Sequence, residues 1–382
     1  MSIARILRLH MWCAGVLALV SSAVFSAETG VTEDRILLGQ SAAFSGPAAQ
    51  LGIQLNLGAK VYFDHVNRSG GVYGRRIELK TLDDRYESDL AAANTKQLIE
   101  QDNVFALFGY VGTPTSNAAL PIFTKAKVPF FAPFTGAMSL REPFNRYIFN
   151  IRASYQEETA RIIEQLTSTG TTRIAVFYQN DAYGKAGLDG TEKALGSRGL
   201  KTIALGTVER NSVDVRKAVE ALVAAQPDAV MMVSAYSSVA AFVKEMRKAG
   251  YTGQFHNVSF VGSKALADAL GNESVGMAIS QVMPFPFSPT AAIVREYQKL
   301  MSEAGHTDYN WSSLEGFVAA RVFVEGLRRA GRDLTRDKLI SGLESIGRFD
   351  VGGMDITFSP TNHNGSKFVE LTIINSRGRF SR

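Results

Sequence analysis

After Arg35 the chain alternates short runs of β-branched and aromatic residues with longer amphipathic stretches, and it does so in two successive series. The first series predicts strands over 36–44, 77–82, 104–110 and 128–134, with helices over 47–67, 88–101 and 113–126. In the first of these helices Leu51, Leu55, Ala59 and Phe63 recur at the spacing that places them on one face. The second series predicts strands over 173–178, 202–208, 229–234 and 255–261, separated by helices over 184–196, 213–225 and 239–249. A strand over 276–283, helices over 290–304, 312–330 and 336–345, and closing strands over 355–359 and 368–374 complete the pattern. Alternation of this kind produces a parallel sheet covered by helices on both faces. At 382 residues the chain is too long for one hydrophobic core, so the expected fold class is α/β with two lobes. Ligands of such sheets bind beyond the carboxyl ends of the strands, and two facing lobes can wall a single cleft there.

The N-terminus points to a compartment. Residues 1–27 join basic Arg5 and Arg8, an apolar stretch over 11–25 and small residues beyond it, which is the order of a secretory signal peptide. The stretch is shorter than the roughly 20 residues a spanning helix needs, and no later apolar run is long enough either. Cleavage is expected between Ala23 and Ala27. Cys13, the only cysteine, lies inside this segment, so the exported chain has no disulfide and no cysteine metal site. The formal charge of +5 falls to +3 without Arg5 and Arg8, too weak and too evenly spread for a nucleic-acid partner. The expectation is a periplasmic protein that is not inserted in the membrane.

Signatures of catalysis are missing. There is no GxxxxGK[ST] phosphate loop, and Gly70-Gly71-Val72-Tyr73-Gly74 follows a helix, where it reads as a helix stop and turn. No G-x-S-x-G nucleophile elbow occurs. His65, His256, His306 and His363 are not spaced as metal ligands. Asp83-Asp84 closes a strand, where neighbouring side chains point to opposite faces, so the pair reads as loop chemistry at a sheet edge. Neither enzyme, cofactor nor metal is expected.

Four strand-to-helix junctions share one chemistry: 44–47, 109–116, 132–137 and 178–184. Hydroxyls and glycines at helix starts expose backbone N–H groups that, with the helix dipole, attract an anion such as a carboxylate. Each junction alone also reads as an N-cap. Their recurrence at one end of several strands points to a binding cleft, with Phe44, Tyr110, Phe134, Tyr183 and Tyr236 as its aromatic walls.

The order of these segments resembles the branched-chain amino-acid-binding (Leu/Ile/Val-binding) family of periplasmic solute receptors, which serve ATP-driven importers. The resemblance runs from about Asp34 to Phe380. It is carried by Phe44-Ser45-Gly46, the stretch from Asn67 to Ile77, Phe108-Gly109-Tyr110, the stretch from Val128 to Pro133, and Asp181-Ala182-Tyr183-Gly184. It implies two Rossmann-like lobes with mostly parallel sheets joined by a three-strand hinge, the type I periplasmic binding protein fold. Lobe I would comprise 28–150 plus 283–360, and lobe II 151–282 plus 361–382. Crossovers are expected near 149–152, 280–284 and 359–367. The resemblance further implies that Thr113 and the loop of Phe134, Thr135 and Gly136 hold a ligand carboxylate, with Phe44, Ser45, Tyr110, Tyr155 and Tyr236 around the rest. Amino-acid receptors of this family set an acid of the second lobe against the ligand ammonium. The matching stretch here, Phe260-Val261-Gly262-Ser263-Lys264, offers Ser263 but no carboxylate, which leaves Asp181 as a substitute or a ligand without an amino group. The implied partners are a small-molecule ligand and the membrane permease of an ABC importer, with the receptor a monomer. The alternative is a sensing module that feeds a signalling receptor.

Overall fold

A computed structural model describes residues 28–382; the expected signal peptide, 1–27, lies outside the described residues. The first series forms a five-stranded sheet from β1 (Arg35–Ala42), β2 (Arg76–Asp83), β3 (Ala106–Phe108), β4 (Phe130–Phe131) and β5 (Ile148–Phe149). Its order is β2-β1-β3-β4-β5, and every pairing is parallel. The connecting helices are α1 (Ala49–Arg68), α2 (Ser88–Lys96) and α3 (Thr113–Ala126).

The second series opens with α4 (Tyr155–Ser168), β6 (Ile174–Gln179), α5 (Ala182–Gly196), β7 (Leu205–Val208) and α6 (Arg216–Ala225). It continues with β8 (Ala229–Val233), α7 (Tyr236–Lys248), β9 (Gln254–Asn257), α8 (Ser263–Leu270) and β10 (Ala278–Gln281). The chain then returns to the first sheet for α9 (Ala292–Glu303), α10 (Trp311–Ala330), α11 (Arg336–Glu344) and the hairpin β11 (Gly347–Asp350) and β12 (Asp355–Phe358). It ends in the second sheet with β13 (Glu370–Ile374) and β14 (Phe380–Ser381), both antiparallel. The second sheet has seven strands in the order β14-β13-β10-β9-β8-β6-β7. The fold is therefore the mostly parallel α/β class that the alternation implies.

Packing explains why α10 belongs with α1 although about 260 residues separate their starts. Phe63, Phe108, Phe131 and Phe323 interlock in one core, with ring centroids 5.1–6.5 Å apart. Gly58 and Gly316 permit this close approach, because a Cβ at Gly58 would lie 1.7 Å from the Ser313 carbonyl oxygen and one at Gly316 would lie 1.9 Å from that of Leu55.

Two helices escape the periodicity reading. α4 begins on a capping box in which Ser154 Oγ accepts from Glu157 N and Glu157 Oε2 accepts from Ser154 N, at 3.2 and 2.7 Å. The strand expected over 255–261 stops at Asn257, after which Gly262 at φ +79° turns the chain into α8. Among the described residues no helix is long and apolar enough to cross a membrane, and no cluster of His, Cys, Asp or Glu is arranged to hold a metal.

Candidate binding cleft

The carboxyl ends of both sheets face one another, and a hydrophobic cluster runs across the gap. It joins Leu51, Tyr86, Val111 and Phe134 from the first sheet's loops to Tyr155, Tyr183 and Phe260 from the second's. Phe260 sits at its centre, with its ring 4.6 Å from Tyr183, 5.5 Å from Phe134 and 6.0 Å from Tyr86. Nearer the mouth lies a pocket of about 310 Å³, lined from both lobes by Gln50, Leu51, Tyr236, Ser263, Lys264 and Trp311 among others. The first turns of α1, α7, α8 and α10 open onto it, and only α10 carries a side-chain cap. Uncapped helix starts leave N–H donors for an anion.

The inner wall is polar under its aromatic cover. Thr113 opens α3 directly after Gly112, whose φ of +98° removes the usual capping geometry. The Thr113 and Thr135 hydroxyls share a hydrogen bond of 2.7 Å, and Thr135 donates to the Tyr155 hydroxyl at 3.2 Å. Gly136 is fixed by contact, since a Cβ there would meet Tyr155 N at 2.6 Å. Burial pushes the Tyr155 phenol up to about 12, so it stays neutral while accepting from Thr135.

Behind this wall lies a buried charge network. Arg152, with a fully buried side chain, holds its guanidinium 4.6 Å from the Phe134 ring centroid and donates to Ser259 Oγ. It faces Glu315 of α10 at 3.6 Å and Glu158 of α4 at 3.9 Å, so it links α10, packed on the first sheet, to α4 beside the second. Glu158 is also satisfied by Ser259 N, Ser259 Oγ and Ser280 Oγ at 2.8, 3.0 and 2.6 Å. Burial raises the Glu315 carboxyl to about 7, against the pull of Arg152.

Asp181 caps α5 by accepting from Tyr183 N at 2.9 Å, and Gln179 Nε2 donates to it at 2.6 Å. Burial raises its carboxyl above the ordinary value. At the rim Arg210 bridges to Glu87 at 2.8 Å, and Tyr236 accepts from Gln50 N at 3.4 Å, so both lips touch across the lobes.

The structure thus brings Thr113, Phe134, Thr135, Gly136, Tyr155, Asp181 and Tyr183 together on the inner wall, with Tyr236 and Ser263 at the outer pocket. Phe44 packs against the same cluster half-buried. Two expected residues lie elsewhere. Tyr110 points to the opposite face of the first sheet, where its hydroxyl pairs with Thr95 at 3.0 Å and its ring meets Phe130 at 5.0 Å. The period of two along a strand end sends Val111, not Tyr110, toward the cleft. Ser45 is exposed and spends its hydroxyl on Asp83. Missed altogether were Tyr86, Arg152 and Arg210. Tyr86 was detectable, because it follows β2 at the same strand end as the other junctions.

Comparison with known proteins places this geometry. The profile of a family described as periplasmic binding protein matches residues 36–379. A possible leucine/isoleucine/valine-binding protein of Rhodopirellula baltica superposes with a TM-score of 0.87 at 34% identity, covering 91% of this chain and 96% of that one. A substrate-binding periplasmic protein of Ralstonia solanacearum gives 0.85 at 33% identity, over 90% and 99% of the two chains. A protein of Brucella abortus named Leu/Ile/Val-binding protein homolog 7 is 25% identical over 81% of each chain. These are binding proteins rather than enzymes. The chain belongs to the periplasmic binding protein family, in its Leu/Ile/Val-binding type.

Proposed function

We propose that this protein is a periplasmic receptor that takes a small carboxylate-bearing ligand between its lobes and delivers it to the permease of an ABC importer. The carrying observation is the meeting of the Thr113 and Thr135 hydroxyls at the start of α3, 2.7 Å apart, together with a pocket of about 310 Å³ lined from α1, α7, α8 and α10. The carboxylate would lie on the first turn of α3 with Thr113 and Thr135, and the body would extend past Tyr236 toward the outer pocket. Lobe I is taken as 28–150 plus 283–360 and lobe II as 151–282 plus 361–382. The crossovers between them are the hinge, and the Arg210–Glu87 and Tyr236–Gln50 contacts hold the closed form. Export by residues 1–27 is part of this reading.

The test is thermal unfolding against a panel of branched and aromatic amino acids and their deaminated acids. A ligand present at about 1,000 times its Kd adds roughly 4 kcal/mol, a rise of about 5 °C for a protein of this size. No shift with any acid in the panel contradicts the reading.

A further inference from the structure

We propose that the ligand carries no ammonium group beside its carboxylate: it is a plain, oxo- or hydroxy-carboxylic acid with an apolar body. This rests on the cleft reading above and narrows it. An α-ammonium is two bonds from the carboxyl carbon, so it must share the inner wall with the carboxylate. A buried ammonium there requires a countercharge.

Every carboxylate near that wall is already committed. Asp181 caps α5, accepts from Gln179 and faces Arg210 at 3.6 Å. Glu158 has three hydrogen-bond donors besides Arg152, and Glu315 faces Arg152. Asp84 accepts from Ser41 Oγ at 2.7 Å and from Tyr86 N at 2.9 Å. Asp268 and Asp308 lie exposed at the mouth, both on Lys264. Where an acid could have entered from the second lobe, Phe260 turns its ring into the cleft instead.

The unspent polar atoms favour an anion. Nη1 of Arg152 has no hydrogen-bond partner although the side chain is fully buried, Nε faces Glu315 at 3.6 Å, and the Tyr183 hydroxyl is likewise unpartnered. One free acceptor, Gln179 Oε1, stands beside these donors; it takes a ligand hydroxyl or an N–H alike, so the preference for an anion rests on the donors. The aromatic walls could hold a cation on their faces, but guanidinium groups already lie over two of them. Arg152 is 4.6 Å from the Phe134 centroid and Arg210 is 6.0 Å from that of Tyr86.

The experiment is calorimetric titration of the purified protein with matched pairs: leucine against 4-methyl-2-oxopentanoate, and phenylalanine against phenylpyruvate and 3-phenylpropanoate. In at least one pair the deaminated acid should bind about 50-fold more tightly or better, the scale of an unpaired buried charge. Equal or tighter binding of the amino acid overturns the inference and leaves the carboxylate reading standing. Binding of neither member of any pair overturns both. Phe260→Glu, compared with Phe260→Gln as the neutral control for losing the central ring, supplies a second readout. It should raise amino-acid affinity at least about tenfold while weakening the acids; an unchanged preference overturns the role given to this wall.

Discussion

The two sheets present opposite chemistry to the same cleft. The first contributes backbone and small hydroxyls: Gly112, Thr113, Thr135 and Gly136, held in place by close contacts with Tyr86 and Tyr155. The second contributes bulk and charge: Asp181, Tyr183, Arg210 and Phe260. On the proposed reading, a wall of N–H and O–H groups would recognise what acids have in common, while rings and charges would decide which acid fits. The general part of recognition would then belong to the first sheet and the selective part to the second, with Arg152 linking α10 to α4.

Breaking that link should have the largest effect. Arg152→Ala leaves Glu158 and Glu315 buried without their cation and should lower unfolding free energy by roughly 3–5 kcal/mol in denaturant titration. A loss below 1 kcal/mol would mean the network is not structural.

Two regions of the sheets should also respond oppositely to acid. Burial lowers His256 of β9 to about 4, so its contribution is present above pH 6.5 and is lost as pH falls through 4. Burial raises Asp84, beside β1, to about 6, so its contribution is full below pH 3.8 and is lost as pH rises through 6. Hydrogen exchange corrected for intrinsic rates, compared at pH 7 and 4, should show β9 around His256 weakened and the β1–β2 edge around Asp84 strengthened, each on the order of 2 kcal/mol. His363, lowered by burial to about 4 against β5, acts in the opposite sense to Asp84 at the far edge of the first sheet. Parallel changes at β9 and the β1–β2 edge would contradict this.

Smaller changes sharpen the division of labour. Gly112→Ala forces a side chain onto φ +98° and its Cβ to 2.2 Å from the Tyr86 ring, costing roughly 1–3 kcal/mol from backbone strain alone, read by thermal unfolding. Thr113→Val should weaken every acid by a similar factor, roughly 1–2 kcal/mol in calorimetry, whereas a change confined to one acid would place selectivity in the wrong sheet. Arg210→Ala removes the rim bridge to Glu87 together with the contacts to Ser88 and Asp181, so affinity should drop by about 1 kcal/mol and that difference should shrink in high salt.

Much of the fold was legible in the sequence because period and composition act locally. The helix over 113–126 lies at the residues its pattern predicts, and β8 ends within one residue of its predicted end. α4 was hidden because its signal was the cap Ser154-Tyr155-Gln156-Glu157 rather than a long apolar face. The strand at 255–261 was overextended because Val258, Phe260 and Val261 are β-formers that tertiary packing placed in a turn. At the site, the strand-end junctions were readable, and Tyr86 with them, but Arg152 was not, since its contacts to Ser259 and Glu315 span about 100 residues or more and leave no local spacing. The direction of Tyr110 was lost to a one-residue change of face.

The most direct test of the account is titration of the protein with carboxylic acids and their primary amides, matched in shape and differing in charge. The account predicts that an acid that binds loses about tenfold or more in affinity as its amide, because the inner wall offers donors and a buried guanidinium. Amides that bind as well as their acids would contradict the claim that this cleft recognises a carboxylate.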